Sequence, residues 1–150
     1  MKKILLIIIS ISFCFFSFAD EELFWGLDGD PVRYSQLVSS PKTVIFTWAI
    51  WCPYCRRALE GFSRNCKSFE GIDVIYLNLG DSEAKIKKYT RQRKIKDCIK
   101  KKIILDEQSL MARKFSLMGL PSYIFFKDGK FLAKSFYLDD ELIKNIFEDG

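Results

Sequence analysis

The sequence contains no histidine. That absence excludes Ser-His-Asp and Cys-His nucleophilic catalysis, mixed Cys/His zinc sites and histidine-ligated haem or copper. Five cysteines leave two chemistries open, a four-thiolate metal site and thiol–disulfide exchange. Internal repeats and linkers are also lacking. A length of 150 residues, 49% of them apolar and 29% charged, suits one globular domain and not a disordered chain. The net charge of +5 is a mild basic excess that does not by itself argue for nucleic acid. Ile4 to Phe18 is an uncharged, mostly apolar run of fifteen residues. It falls short of the roughly 20 residues that span a bilayer.

That run follows Met1-Lys2-Lys3 and ends in Ser17-Phe18-Ala19, which places small residues at the positions signal peptidase reads. Residues 1–19 therefore read as an export signal, with an uncleaved anchor as the alternative. A lipoprotein reading through Cys14 is weaker, because bulky Phe13 precedes it. The mature domain is then residues 20–150, placed in the periplasm or another extracytoplasmic compartment. It keeps Cys52, Cys55, Cys66 and Cys98, an even set that permits full disulfide pairing.

Beyond a turn at Asp28-Gly29-Asp30-Pro31, the mature chain alternates strands and helices. Val44–Ala49 and Val74–Leu79 are continuous apolar, β-branched and aromatic runs, the mark of strands buried on both faces. Pro53 to about Ser68 has helical spacing. Asp81-Ser82 offers an N-cap for a helix from Glu83 to about Lys94. A short strand at 103–106 and a helix from Gln108 to about Phe115 follow. A hairpin spans 122–137 around Asp128-Gly129, and Asp139-Asp140 caps a last helix. The pattern is one α/β domain with a mixed sheet.

The chemistry sits in Cys52-Pro53-Tyr54-Cys55, between a buried strand and a helix. Pro53 suits the first helical position, where its fixed φ fits and its missing N–H costs nothing. Cys52 is then the cap residue. Free backbone N–H groups and the positive end of the helix dipole both favour its thiolate. Cys55, three residues on, shares its face and lies near enough for a disulfide. Cys52 can thus attack a substrate disulfide and Cys55 can resolve the mixed disulfide. Half a zinc ribbon would look the same, but no second C-x-x-C exists, so no metal site is expected.

Trp48-Ala49-Ile50-Trp51-Cys52-Pro53-Tyr54-Cys55 resembles the W-A-x-W-C-x-x-C of the thioredoxin superfamily. Leu27-Asp28-Gly29-Asp30-Pro31-Val32 and Gly119–Phe126 with Asp128-Gly129-Lys130 are similar to motifs of its TlpA/ResA-type branch. That branch comprises exported or membrane-tethered thiol–disulfide oxidoreductases. The resemblance covers roughly residues 24–149. It implies a thioredoxin-like fold, a mixed central sheet with helices on both faces, and an extra strand–helix insertion at 103–116. It further implies no cofactor besides the Cys52–Cys55 disulfide and a cis bond before Pro121. A substrate peptide would pair with the backbone of Leu120, inside an apolar rim of Trp51, Tyr54, Met118 and Leu120. For Trp48, core packing and a functional role are equally open.

Three departures stand out. The dipeptide Pro53-Tyr54 is that of glutaredoxins, which points to an intermediate redox potential. Phe46 replaces the buried carboxylate of thioredoxin, and Ala58 an acid carried by some members of the branch, so no obvious base deprotonates Cys55. Arg56 and Arg57 remain as electrostatic aids to its thiolate. Glu60 stands where the helix usually has proline.

Cys66 lies ~21 Å along the helix from Cys52. Chain direction brings Cys98 to the same far end, and successive right-handed crossovers put the intervening helices on one face. The two are candidates for a structural disulfide. Residues 85–102 carry Lys85, Lys87, Lys88, Arg91, Arg93, Lys94, Lys96, Lys100, Lys101 and Lys102 against the single acid Asp97. The run reads first as a solvated face, with contact to an anionic membrane surface or an acidic partner as the functional alternative. Nucleic acid is no partner for an exported protein.

The expected function is an exported reductase of protein disulfides, with protein thiols and disulfides as partners and a membrane electron donor. A disulfide oxidase or isomerase on the same fold is the first alternative. A non-enzymatic thioredoxin-fold binding protein is the second.

Overall fold

The residues Lys42–Trp48 form a strand in which everything after Lys42 is buried. Such a segment must be paired on both edges and covered on both faces, because its backbone has no access to water. The computed structural model, which describes residues 21–66 and 69–148, satisfies both demands. In chain order the elements are β1 (Leu23–Gly26), β2 (Pro31–Arg33), α1 (Tyr34–Leu37), β3 (Lys42–Trp48), α2 (Pro53–Asn65), β4 (Asp73–Leu79), α3 (Glu83–Gln92), α4 (Asp97–Lys100), β5 (Ile103–Asp106), α5 (Leu110–Lys114), β6 (Ser122–Lys127), β7 (Lys130–Ser135) and α6 (Asp140–Glu148). The export signal read at residues 1–19, with Cys14, lies outside the described residues. Among those described, no helix is long and apolar enough to cross a membrane.

One mixed sheet runs β2-β1-β5-β4-β3-β6-β7. β3 is parallel to β4 and antiparallel to β6, so Val44 lies between Val74 and Phe125. The period-two alternation splits each central strand between two cores. Val44, Phe46, Trp48, Tyr76 and Phe125 face α2, α3, α4 and α6 through Leu59, Phe62, Ile86, Ile99 and Phe147. Ile45, Leu77, Ile124 and Phe126 face Leu37 of α1 and Met111 of α5. Helices therefore cover both faces, as the thioredoxin-like resemblance implies, and α2 and α3 share one face.

The β6–β7 hairpin closes on Asp128 and Gly129, both at positive φ (50° and 75°). A two-residue turn of this kind matches strand twist, and glycine adopts it without strain. The N-terminal stretch, read from sequence only as a turn, adds two short strands and a helical turn. β1 pairs with β2 and, through Trp25↔Leu105, with β5. Phe24, almost wholly buried, anchors it.

At the sheet end remote from the start of α2, helix α2 stops at Asn65. Cys66 takes a left-handed conformation (φ 47°) that ends it sooner than periodicity suggests. Cys98 sits in the short helix α4. The two cysteines are bonded, with Cα atoms 6.0 Å apart across a separation of 32 residues. Hydrogen bonds reinforce the junction: the Lys96 N–H donates to Ser63 Oγ (2.8 Å) and Lys96 Nζ to the Arg64 carbonyl (2.6 Å). Closing a loop of that length removes denatured-state entropy equivalent to about 3–4 kcal/mol. The paired substitution Cys66→Ser with Cys98→Ser should lower unfolding free energy by about that amount. Urea unfolding of the oxidised protein measures it, and an unchanged midpoint would show that this bond does not stabilise the fold.

Candidate active site

Strand β3 delivers the chain to the edge of the sheet, and the turn Ala49–Cys52 hands it to α2. The Cys52 N–H donates to the Ala49 carbonyl (3.2 Å). Cys52 is the N-cap of α2, in extended conformation (φ −86°, ψ 109°), with Pro53 just inside the helix. Its sulfur accepts the Cys55 N–H at 3.1 Å, and its carbonyl accepts the Arg56 N–H. A sulfur so placed is held by an otherwise orphaned helix donor, which favours negative charge there. Cys52 and Cys55 are bonded, Cα atoms 5.2 Å apart. Cys52 keeps 2% of its surface in solvent and Cys55 none. Of the two, only Cys52 retains any exposure.

Around this bond lie exposed apolar side chains. Trp51 (71% exposed) and Tyr54 (67%) flank it, and the Arg57 guanidinium lies 4.6 Å from the Tyr54 ring centre. Met118, two residues before Leu120, is 87% exposed. The Leu120–Pro121 peptide is cis. Both residues are half-buried, and Leu120 packs on the same cluster as Cys52 and Cys55. The register Thr47↔Ser122, with the Thr47 hydroxyl donating to the Ser122 carbonyl (2.9 Å), fixes the 119–121 segment at the dithiol end of the sheet.

Trp48 is fully buried against Tyr89, ring centres 5.9 Å apart, which makes it a core residue. Phe46, in place of the carboxylate, packs edge-on against Phe62 and Tyr76 and against Tyr123 at 5.1 Å. Glu60 accepts the Tyr89 hydroxyl (3.2 Å) and lies 3.7 Å from Arg93 Nε. Burial first, then the Glu60 charge, pushes the Tyr89 phenol up to about 12. Burial raises Tyr76 and Tyr123 to about 12 as well. All three phenols stay protonated at neutral pH and none serves as a base. Arg56 lies near enough to Tyr89 to act on it electrostatically, and its Nε has no hydrogen-bond partner among the described residues. Among those residues no cluster of three or more His, Cys, Asp or Glu could hold a metal.

Comparison with known proteins places this geometry in context. Residues 16–135 match the model of the AhpC/TSA family. Curated proteins give no sequence match. Among solved structures, StoA from Bacillus subtilis superposes with a TM-score of 0.64 at 16% identity, covering 85% of this chain and 96% of its own. A secreted Mycobacterium tuberculosis disulfide oxidoreductase homologous to E. coli DsbE gives 0.63 at 14% identity, covering 84% and 94%. The pneumococcal exposed lipoprotein thioredoxin from Streptococcus pneumoniae gives 0.64 at 17%, covering 85% and 98%. At these identities the likeness shows the fold, which is thioredoxin-like.

Asp81 is the residue of this site that periodicity misreads. Of the Asp81-Ser82 pair read as an N-cap, Ser82 is the N-cap of α3, without a side-chain cap bond, and Asp81 has another role. Asp81 Oδ2 instead accepts the Ile50 N–H (2.8 Å) and Asn78 Nδ2 (3.0 Å), while its own N–H donates to Asn78 Oδ1 (3.1 Å). The carboxylate thus pins the turn that carries Trp51 and Cys52. A usable signal was its place just past a buried parallel strand, where the strand ends of α/β sheets gather their functional groups. Asp81→Ala leaves fully buried Asn78 and the Ile50 N–H without this acceptor. It should cost about 1–3 kcal/mol in urea unfolding and slow disulfide exchange. Asp81→Asn, which keeps a carbonyl oxygen, should lose less. Equal stability of wild type and Asp81→Ala would show that the turn is held by other means.

Proposed function

We propose that this chain, which belongs to the AhpC/TSA family and has the thioredoxin-like fold of thiol–disulfide oxidoreductases, is an exported reductase of protein disulfides. The observation that carries the reading is the Cys52–Cys55 pair at the start of α2, with Cys52 as the N-cap and the only one of the two with any exposure. In the reduced protein the Cys52 thiolate attacks one sulfur of the partner's disulfide. A Cys52–partner bond forms, the partner's own disulfide breaks, and the released thiolate takes a proton. Cys55, deprotonated in turn, attacks Cys52 Sγ. The partner leaves with two thiols, and two electrons have passed from the dithiol to it.

Trp51, Tyr54, Leu120 and Pro121 form the substrate-binding surface in this reading. An extended segment lies along Leu120 and covers the apolar rim completed by Met118. The signal at residues 1–19 directs the domain 20–150 across the membrane, where a membrane electron donor restores the dithiol. The words "secreted" and "exposed lipoprotein" that describe two structural neighbours agree with an extracytoplasmic site.

One observation favours the opposite direction. Phe46 and Ala58 leave Cys55 without a carboxylate to take its proton, which suits an oxidase or isomerase better than a fast reductase. The equilibrium potential against glutathione separates the two. A value between about −200 and −270 mV is expected, and one near −120 mV would reverse the direction. Cys52→Ser should reduce disulfide exchange to background, and activity persisting in that variant would overturn the reading of Cys52 as the attacking sulfur. Cys55→Ser should accumulate a mixed disulfide through Cys52 that reductant releases, identifying the partner by mass.

A further inference from the structure

We propose that the groove between α3, α4 and the β1–β2 turn binds an anionic amphiphile, a molecule with a phosphate or carboxylate head on an apolar body. The groove encloses about 610 Å³, within the range of sites for drug-sized ligands and far larger than one inorganic anion needs. Its walls are mostly hydrocarbon, with Leu27 on one side and Ile95 on the other. Its rim is cationic: Lys87, Arg91 and Lys94 lie on one face of α3 and its C-terminal turn, and Lys100 and Lys101 close α4. Asp28 is the one acid there, and its Oδ1 already accepts the Asp30 N–H.

The fold gives half of the basic run a partner. Lys87 pairs with Glu83, Arg93 with Glu60, Lys100 with Asp97 and Lys102 with Asp73, and Lys96 donates to the Arg64 carbonyl. Of the five with no such partner among the described residues, Arg91, Lys94 and Lys101 line the groove and Lys85 and Lys88 do not. Three unpartnered cations thus meet around one apolar cleft.

Lys94 adds an independent sign. The end of α3 is a Schellman turn, with the Ile95 N–H on the Thr90 carbonyl (2.9 Å) and the Lys94 N–H on that of Arg91 (3.2 Å). Lys94 holds the left-handed position (φ 51°), where glycine fits without strain. A lysine there gives up backbone comfort for a side chain at the mouth of the groove. The site lies toward the far end of α3 from Asp81 and shares no lining residue with the dithiol centre, so binding is independent of exchange.

Calorimetric titration of the purified protein tests the proposal with three probes: inorganic phosphate, monomeric dihexanoylphosphatidylglycerol, and vesicles of phosphatidylglycerol or phosphatidylcholine. The monomer should bind saturably at one site, at least tenfold tighter than phosphate. Phosphatidylglycerol vesicles competing for the site would name the bilayer as source, and no vesicle binding would name a free amphiphile; both support the site. The paired substitution Arg91→Glu with Lys94→Glu should weaken the monomer at least tenfold. Lys94→Gly should weaken it several-fold while the melting temperature stays level or rises. Lys130→Glu, on the distant hairpin, should change affinity less than twofold. No saturable binding of the monomer, phosphate binding as tightly, undiminished binding by Lys94→Gly, or an equal loss with Lys130→Glu would each overturn the proposal.

Discussion

Strand β3 is paired on both edges and packed on both faces, and the position of the reactive sulfurs follows from that constraint. Phe46 and Trp48 go into one core and Ile45 into the other, so the strand can neither slip by one residue nor rotate without exposing a full apolar set. Its last residue therefore emerges at one fixed place. The four residues from Ala49 to Cys52 have little freedom left, and Asp81 removes more by holding the Ile50 N–H. Leu59 and Phe62 then fix the axis of α2 against the same core. The Cys52 sulfur meets the end of that helix because two independent packings, strand and helix, converge on it.

The electrostatics of the dithiol are spare for the same reason. A charged group at position 46 would sit among Phe62, Tyr76 and Tyr123, where nothing could pair it. Glu60 is engaged by Tyr89 and Arg93, and Asp81 by backbone and amide donors. Without histidine, and with the buried phenols protonated, what remains to favour a thiolate at Cys52 is the helix end and the Cys55 N–H itself. These act on Cys52 and not on Cys55. The asymmetry makes the first attack easy to account for and leaves release of the mixed disulfide as the demanding step.

Much of this was legible from sequence where the physics is local or where burial is total. β3, β4, β5 and β6 show as continuous apolar runs because both their faces are buried. The C-x-x-C shows by spacing, and the cap role of Cys52 by the proline after it. β1 and β2 did not show. They are three or four residues long, and β1 is stabilised by pairing with β5, which no local pattern reports. α4 is a single turn held by Ile99 and by its clamp on α2. Asp81 hides its role because its partner, Ile50, is 31 residues away. The cis bond before Pro121 has no local signature either, since X-Pro bonds are mostly trans, and it was expected on resemblance alone.

The basic run shows how the same residue type divides once tertiary partners exist. In sequence, ten cations between 85 and 102 look like one solvated feature. In the fold, Lys96 and Lys102 reach back to the end of α2 and the start of β4, close to the Cys66–Cys98 bond, and so belong to the structure of the far end. Exposed pairs of this kind contribute little energy individually. Their effect is geometric: together with the disulfide they hold α4 against α2. That leaves Lys100 and Lys101 facing α3 across an apolar cleft. Asp97 acts electrostatically on Lys101, but Asp28 is the only acid that lines the groove beside Arg91 and Lys94. A fold that concentrates unpaired positive charge over hydrocarbon walls is stabilised by an anion with an apolar body more than by solvent or by salt, since only such a ligand relieves both defects at once.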